Sequence, residues 1–475
     1  MRRLYFNIIL GCLSTFMFGY VLSALNIPLI KNRPGFIGAD IPELNDSIWK
    51  GIVTSAAILG AMISSFTGSR FADKYGRRKT LLWTNCLYIS GAIIMSLVSN
   101  VYTFAVGRFL AGLGVGVSST VVPLLMSEIS PSSLRGLASV CTQMGVVTGI
   151  LSGTLVGSLV SKTPHGWRIT VGFLVVPAMI QLSFSMVLVE SPRWLAAVWV
   201  KKDEEMARHK VRNALTKLRN SCVQEEAEAI VTEVGQSQQE SCRNSTKLTG
   251  CAKPVFFGVF LNIVQQFSGI NAIIYYSSEI FASAGFDGRE ELATVITMLV
   301  NVISTIFAVK LVDIVGRKSL LSFGLGGQIV SLSLLVLCPF FVNESEPVYF
   351  YFSLFGILFY IASFAIGPGA VLWSIVAEIF PDHARASGVS IALGTNWTCN
   401  LIISLGFLKI VEFFDHNLAP VFFLFLLICI AGFVLVLFLI PETKGKSFSE
   451  ISKLLGLNQE LIGENTSLLN NVQDV

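Results

Sequence analysis

The chain has 475 residues, 53% of them hydrophobic and 13% charged, with a formal charge of +4. Soluble domains carry about 25% charged residues, so this composition excludes an ordinary soluble enzyme, a disordered scaffold and a nucleic-acid binder. It implies a polytopic protein embedded in a lipid bilayer.

The amino terminus reads Met-Arg-Arg and turns apolar at once, which reads as a first membrane helix rather than a cleaved signal. Apolar windows in chain order fall at 5–28, 50–71, 80–99, 102–126, 137–160 and 168–190, then 254–282, 290–312, 319–342, 348–378, 386–411 and 418–440. The expected fold is therefore all-α and integral to the membrane, with twelve transmembrane helices. Residues 1–190 form an N-terminal half, 191–253 a polar cytosolic insert of short surface helices, 254–440 a C-terminal half and 441–475 a cytosolic tail. Six cysteines sit in apolar stretches, and Cys222, Cys242 and Cys251 lack the close pairing or His partners of a zinc site. Neither a disulfide framework nor a metal or cofactor is expected.

Most of the 34 Lys and Arg fall in loops on the side of the insert, which by the positive-inside rule puts both termini in the cytosol. The chain also repeats itself. Asp73-Lys-Tyr-Gly76-Arg77-Arg78 returns as Asp313-Ile-Val-Gly316-Arg317-Lys318. Glu128 stands seven residues before Arg135, and Glu378 seven before Arg385; Glu190-Ser-Pro-Arg193 has a weaker echo in Glu442-Thr-Lys444-Gly445. Three motifs at nearly one offset imply two pseudo-symmetric six-helix halves in the same topology, the arrangement of alternating-access carriers.

These charged motifs lie at helix ends predicted to be cytosolic. A tight turn at Gly76 or Gly316 lets Asp73 and Asp313 meet basic groups of neighbouring helices. A set of ion pairs among Asp73, Arg77, Arg78, Glu128, Arg135, Glu190, Arg193, Asp313, Arg317, Glu378, Arg385 and Glu442 would bias an equilibrium between two states, although each partly exposed pair is weak. Arg108 follows an apolar run. It either snorkels to the interface or joins this gating set from the interior. The glycines behind it, Gly112, Gly114 and Gly116, read as close helix packing.

Uncharged polar residues inside spans carry more information. Gln143, Gln265, Gln266, Asn271, Asn301 and Asn396 are amides whose burial in lipid without partners costs several kcal/mol each, so they face one another or a wet cavity. Amides offer donors and acceptors suited to neutral polyhydroxyl ligands, and Trp373 and Trp397 offer an apolar face for a sugar ring. An anion carrier would want Lys or Arg here, and a cation carrier Asp or Glu.

Taken together, Gly76-Arg77-Arg78, Gly107-Arg108, Glu190-Ser-Pro-Arg193-Trp194-Leu195, Gln265-Gln266-Phe-Ser-Gly269-Ile-Asn271 with Tyr275-Tyr276, Gly367-Pro368-Gly369, Asn396-Trp397 and Pro441-Glu442-Thr-Lys444-Gly445 resemble the sugar porters of the major facilitator superfamily. These are the hexose transporters, including the animal facilitative glucose transporters, and the likeness runs from about Phe18 to Glu450. The resemblance implies the major facilitator fold, no enzymatic activity, and a central monosaccharide site at Gln143, Gln265, Gln266, Asn271, Asn301, Trp373 and Asn396, with Trp397 beside it. Ala365 stands where animal glucose facilitators commonly have Glu, and Ala370 and Leu372 replace their further prolines. One sugar hydrogen bond is thereby missing from the pattern.

The expected function is facilitated transport of hexoses, glucose foremost; the alternatives are proton-coupled symport and a non-transporting sugar sensor. Proton-coupled members commonly carry Asp after Phe-Gly-Tyr in the first span, whereas Phe18-Gly19-Tyr20 is followed by Val21, which cannot titrate. In the tail, Glu464, Leu468 and Leu469 resemble an acidic dileucine signal read by clathrin adaptors. The expected location is the plasma membrane, or endosomal and vacuolar membranes where that signal is used.

Overall fold

In the computed structural model the described residues are 2–31, 33–131, 134–200, 202–219, 223–243, 251–283, 288–342, 347–380, 382–444 and 450. The dileucine residues Glu464, Leu468 and Leu469 lie outside them. Every regular element among the described residues is helical. The elements are α1 (Arg2–Ser23), α2 (Ser47–Tyr75), α3 (Arg77–Leu97), α4 (Val101–Ile129), α5 (Arg135–Val160), α6 (Gly166–Gly172) and α7 (Val175–Ser183). The polar insert follows with α8 (Pro192–Trp199), α9 (Glu204–Arg219) and α10 (Gln224–Arg243). Then come α11 (Ala252–Phe267), α12 (Ile270–Ser283), α13 (Glu290–Val315), α14 (Arg317–Phe341), α15 (Pro347–Ile366), α16 (Pro368–Ile379), α17 (Asp382–Phe413) and α18 (Ala419–Leu439).

Twelve helical stretches among the described residues are long and apolar enough to cross a membrane. Three are composite: α6 with α7, α11 with α12, and α15 with α16. The break between α15 and α16 follows from the sequence, because Pro368 lacks a backbone N–H and Gly367 precedes it. The break between α11 and α12 falls at Ser268-Gly269, where Gly269 has φ +99° and packs so close to the Phe425 ring that a Cβ would lie 2.4 Å from it. Helix α12 is bent again at Tyr276, which leaves helical geometry.

Contacts divide the chain into two compact units. Unit 1 comprises Met1–Ser245 with Asn271–Val302 and Leu401–Leu418; unit 2 comprises Thr246–Ile270, Ile303–Asn400 and Ala419–Val475. The first unit thus takes in chain segments that the sequence repeat assigns to the C-terminal half.

In unit 1, Asp46 caps α2 through Ile48 N, and Asn100 caps α4 through Tyr102 N, supplying acceptors for N–H groups that a helix start leaves unpaired. Helix α4 packs on α2 through its glycines: a Cβ at Gly112 would lie 2.1 Å from Ala57 O, and one at Gly116 2.1 Å from Ala61 O. Leu4, Ile8, Leu81, Val121, Leu125 and Met126 fill a core between α1, α3 and α4. The insert helices hold a small core of their own, with Ala196, Val211, Leu215 and Val231 buried. In unit 2, Leu261, Leu321, Leu325, Ile375, Ile379 and Phe380 pack α11, α14 and α16 together. Large apolar side chains such as Phe340, Phe341 and Phe438 remain exposed, as a lipid-facing surface requires.

Candidate sugar site and its charged surroundings

Helix α11 carries Asn262, Gln265 and Gln266, three and four residues apart, so their amides share one face near its C-terminal end. All three are buried, as is Asn396 of α17. Asn396 Nδ2 donates to Asn262 Oδ1 and to Gln265 Oε1, both at 2.9 Å, while Asn396 Oδ1 accepts from Gln266 Nε2 at 3.0 Å. Gln265 Nε2 donates at 3.0 Å to the carbonyl of Pro368, at the α15–α16 break. The break in α11–α12 is tied down as well, since Tyr360 OH donates to Ser268 O at 2.8 Å. The cluster lies wholly in unit 2 and is neutral. Its amides hold one another, and exchanging such bonds for those of a neutral polyhydroxyl ligand would conserve the number of hydrogen bonds.

Of the remaining residues expected at the site, Trp373 lies on α16 in unit 2 with 38% of its surface exposed, and Trp397 is buried beside Asn396. Gln143 is half-buried on α5, and Asn271 and Asn301 are buried on α12 and α13, all three in unit 1. Sequence reasoning overlooked Asn262, although its spacing from Gln265 and Gln266 was available.

The charged motifs are organised around two carboxylates. In unit 1, Glu190 Oε1 accepts from the backbone N–H of Arg77 at 2.9 Å and of Arg78 at 3.1 Å, the first two residues of α3. In unit 2, Glu442 accepts from Arg317 N at 2.8 Å and Lys318 N at 3.1 Å, the first two of α14. Each carboxylate therefore caps a helix start from far along the chain and meets the positive end of its dipole. Gly76 (φ +99°) and Gly316 (φ +104°) make the approach possible: a Cβ would lie 2.3 Å and 2.7 Å from the respective carboxylate oxygen. Burial pushes the Glu190 carboxyl above its usual range, despite backbone hydrogen bonds from Arg78, Ser191 and Arg77. Burial pushes Glu442 upward too, but N–H groups of Lys444, Arg317, Ser319 and Lys318 outweigh it and hold that carboxyl below the usual range.

The guanidinium of Arg77 grips Glu128 through two 3.0 Å bonds and reaches Asp73 at 3.1 Å. Arg317 approaches Glu378 at 3.4 Å. Arg193 pairs instead with Glu233 of α10 at 2.9 Å, joining two insert helices. Arg135, Asp313 and Arg385 start α5, end α13 and start α17; their side chains lie outside the described set. Arg108 is not among these groups. It is buried, and its guanidinium donates to Val21 O at 2.8 Å and Val53 O at 3.4 Å, near the end of α2 opposite Gly76. Snorkelling is excluded by its burial.

That opposite end of unit 1 holds a second polar cluster absent from the sequence reading. Asn26 Nδ2 donates to Ile274 O at 3.0 Å and to Ser277 Oγ at 2.6 Å, and Asn26 Oδ1 accepts from Ser278 N at 3.1 Å. Lys50 pairs with Glu279, and Arg33 with Glu291 at 3.2 Å. Tyr276 OH donates to Ser404 O at 2.7 Å. The bend of α12 at Tyr276 presents its second half to the turn after α1, to α2 and to α17.

Residues 6–455 match the family described as "Sugar (and other) transporter". Facilitated glucose transporter protein 1 of Caenorhabditis elegans is 34% identical over 479 residues, covering 95% of this chain and 90% of that protein. Plastidic glucose transporter 4 of Arabidopsis thaliana is 32% identical, covering 94% and 79%. Among solved structures, the inward-open xylose transporter XylE from E. coli superposes with a TM-score of 0.78 at 23% identity, covering 95% of this chain and 99% of that one. That last likeness is one of fold.

Proposed function

The chain belongs to the sugar (and other) transporter family, and from that premise we propose that it carries hexoses, glucose foremost, by facilitated diffusion and alternating access. The observation that carries this reading is the neutral amide cluster of Asn262, Gln265, Gln266 and Asn396. Its donors and acceptors match sugar hydroxyls, and it holds no carboxylate or ammonium to select an ion. Gln143, Asn271, Asn301, Trp373 and Trp397 are proposed as further sugar contacts. The name of the nematode relative, a facilitated glucose transporter, supports the same choice of substrate.

Uniport is supported by the first span. Val21 offers Arg108 only a backbone carbonyl, so the position has no carboxylate to load and release a proton. The Gly76 and Gly316 ends are proposed to be cytosolic, where the basic insert also lies, and the Arg77–Glu128 and Arg317–Glu378 pairs to steady the state with that side closed. Residues 1–190 and 254–440 are the proposed moving halves.

Gln265→Leu in proteoliposomes should leave a folded protein whose apparent sugar affinity falls about tenfold or more, since losing a buried polar partner costs about 1–3 kcal/mol. Unchanged affinity would remove the amide cluster from the site. Uptake that becomes concentrative under an imposed pH gradient and collapses with a protonophore would replace uniport by symport.

A further inference from the structure

A cavity of about 490 Å³ opens at the Glu190 end of unit 1, bounded by the start of α1, the stretch after α7, and helices α8 and α9. Four basic side chains line it, Arg3, Arg78, Lys210 and Lys217, against one acid, Glu190. The acid is engaged by three backbone N–H groups, and burial favours its neutral form. The basic groups are less satisfied. Arg78 spends one nitrogen on Ser185 O at 2.9 Å, and its buried Nε has no hydrogen-bond partner among the described residues. The Lys210 ammonium rests over the Trp199 ring at 4.4 Å, and Lys217 is exposed. Such a pocket attracts an anion with several acceptor oxygens.

The rim is apolar. Met186 is 88% exposed in the pocket wall, and Val187 beside it is also exposed. An edge-to-face pair, Phe6 of α1 with Phe184, continues that exposed surface, with Ile9 further along α1. The cavity sits where one membrane-crossing stretch begins, at Arg2, and shortly beyond where another ends, at Ser183. A basic floor with an apolar lip at a membrane boundary fits an amphiphile whose head is anionic. We propose that this pocket binds the phosphate-bearing head group of an anionic phospholipid, its acyl chains lying along Phe6, Ile9 and Phe184. A lipid seated there bridges α9 of the insert to α1, so it tethers the insert to the membrane-spanning helices whatever sugar is carried.

The test titrates the purified full-length protein in detergent with short-chain phosphatidylserine, phosphatidylglycerol and phosphatidylcholine, read by native mass spectrometry. The two anionic lipids should bind at least tenfold more tightly than phosphatidylcholine. Lys210→Gln with Lys217→Gln should erase roughly tenfold or more of that preference, as two surface cations near a lipid head predict. Arg208→Gln with Arg212→Gln removes the same charge from the same helix at positions that do not line the cavity, and should keep it. Arg3→Gln, with the melting temperature followed in parallel, gives a second reading if the lysine pair disturbs folding. Equal losses in the two double variants would reduce the effect to diffuse surface charge and overturn the site. Equal binding of phosphatidylcholine would overturn it too, and inorganic phosphate displacing the lipid at millimolar concentration would assign the pocket to a soluble phosphate compound instead.

Discussion

The two copies of the acid–glycine–basic motif share a sequence pattern and a backbone solution but differ in tightness. Around Gly76, Arg77 holds Glu128 with two 3.0 Å bonds, and their side chains are 9% and 10% exposed. Around Gly316, Arg317 meets Glu378 at 3.4 Å, with side chains 20% and 31% exposed. The capping carboxylates differ as well: Glu190 is governed by burial and Glu442 by its hydrogen bonds. Duplication preserved the turn and the cap while letting the ion pair diverge from a buried fork to a half-solvated contact. In the proposed transport cycle both pairs steady one state, the first as the tighter, more buried joint and the second as the more readily broken latch.

Removing the acids separates the copies most strongly. Glu128→Ala removes the two-bonded partner of a buried guanidinium and leaves it Asp73 and the Ala72 carbonyl, so it should cost about 2–3 kcal/mol, whereas Glu378→Ala should cost about 1 kcal/mol or less because solvent already screens that pair. Denaturation of the detergent-solubilised variants gives both values, and similar losses would erase the distinction between joint and latch.

The turn glycines come next. Both occupy a region of positive φ with extended ψ that is nearly reserved for glycine, so Gly76→Ala and Gly316→Ala should each cost about 1–3 kcal/mol in backbone strain. The first should cost more. Its added methyl would meet the Glu190 oxygen at 2.3 Å and the Trp194 ring at 3.3 Å, against 2.7 Å for the Glu442 oxygen in the second. Glu442→Gly, which clears the clash, should rescue part of the Gly316→Ala loss while leaving the strain.

Much of this was legible in the chain. Spans, insert helices and the repeat rest on hydropathy and motif order, both local properties, and the Gly367-Pro368 break announces itself by composition. The break at Ser268-Gly269 does not, because one glycine in an apolar run is ordinary until Phe425 is seen against it. The amides Gln265, Gln266 and Asn396 were recognisable because burying an amide demands a partner; Asn262 obeys the same reasoning and was hidden only by its apolar neighbours. Lys50 and Glu279 pair across 229 residues of chain. No periodicity reports a pairing of that range. Arg108 was readable as interior, but its carbonyl partners at Val21 and Val53 depend on how α1 and α2 pack.

The smallest expected effect is the pH response of the capping carboxylates, and it should have opposite signs in the two copies. Glu442 has its folded pKa below the ordinary value of 4.5, so its ionised form contributes stability above that value. The contribution disappears as pH falls through the depressed folded pKa. Glu190 has its folded pKa raised above 4.5, so the folded protein holds that proton more tightly than the unfolded chain. Its contribution is greatest below 4.5 and declines as pH rises through the raised value. Glu442→Gln should therefore flatten the acid side of a plot of melting temperature against pH, and Glu190→Gln should remove a decline above 4.5. Both slopes should be shallow, since each carboxyl is only one of many titrating groups. Changes of the same sign in the two variants would mean that the copies share one electrostatic environment, and the contrast between a buried joint and a solvated latch would fall with it.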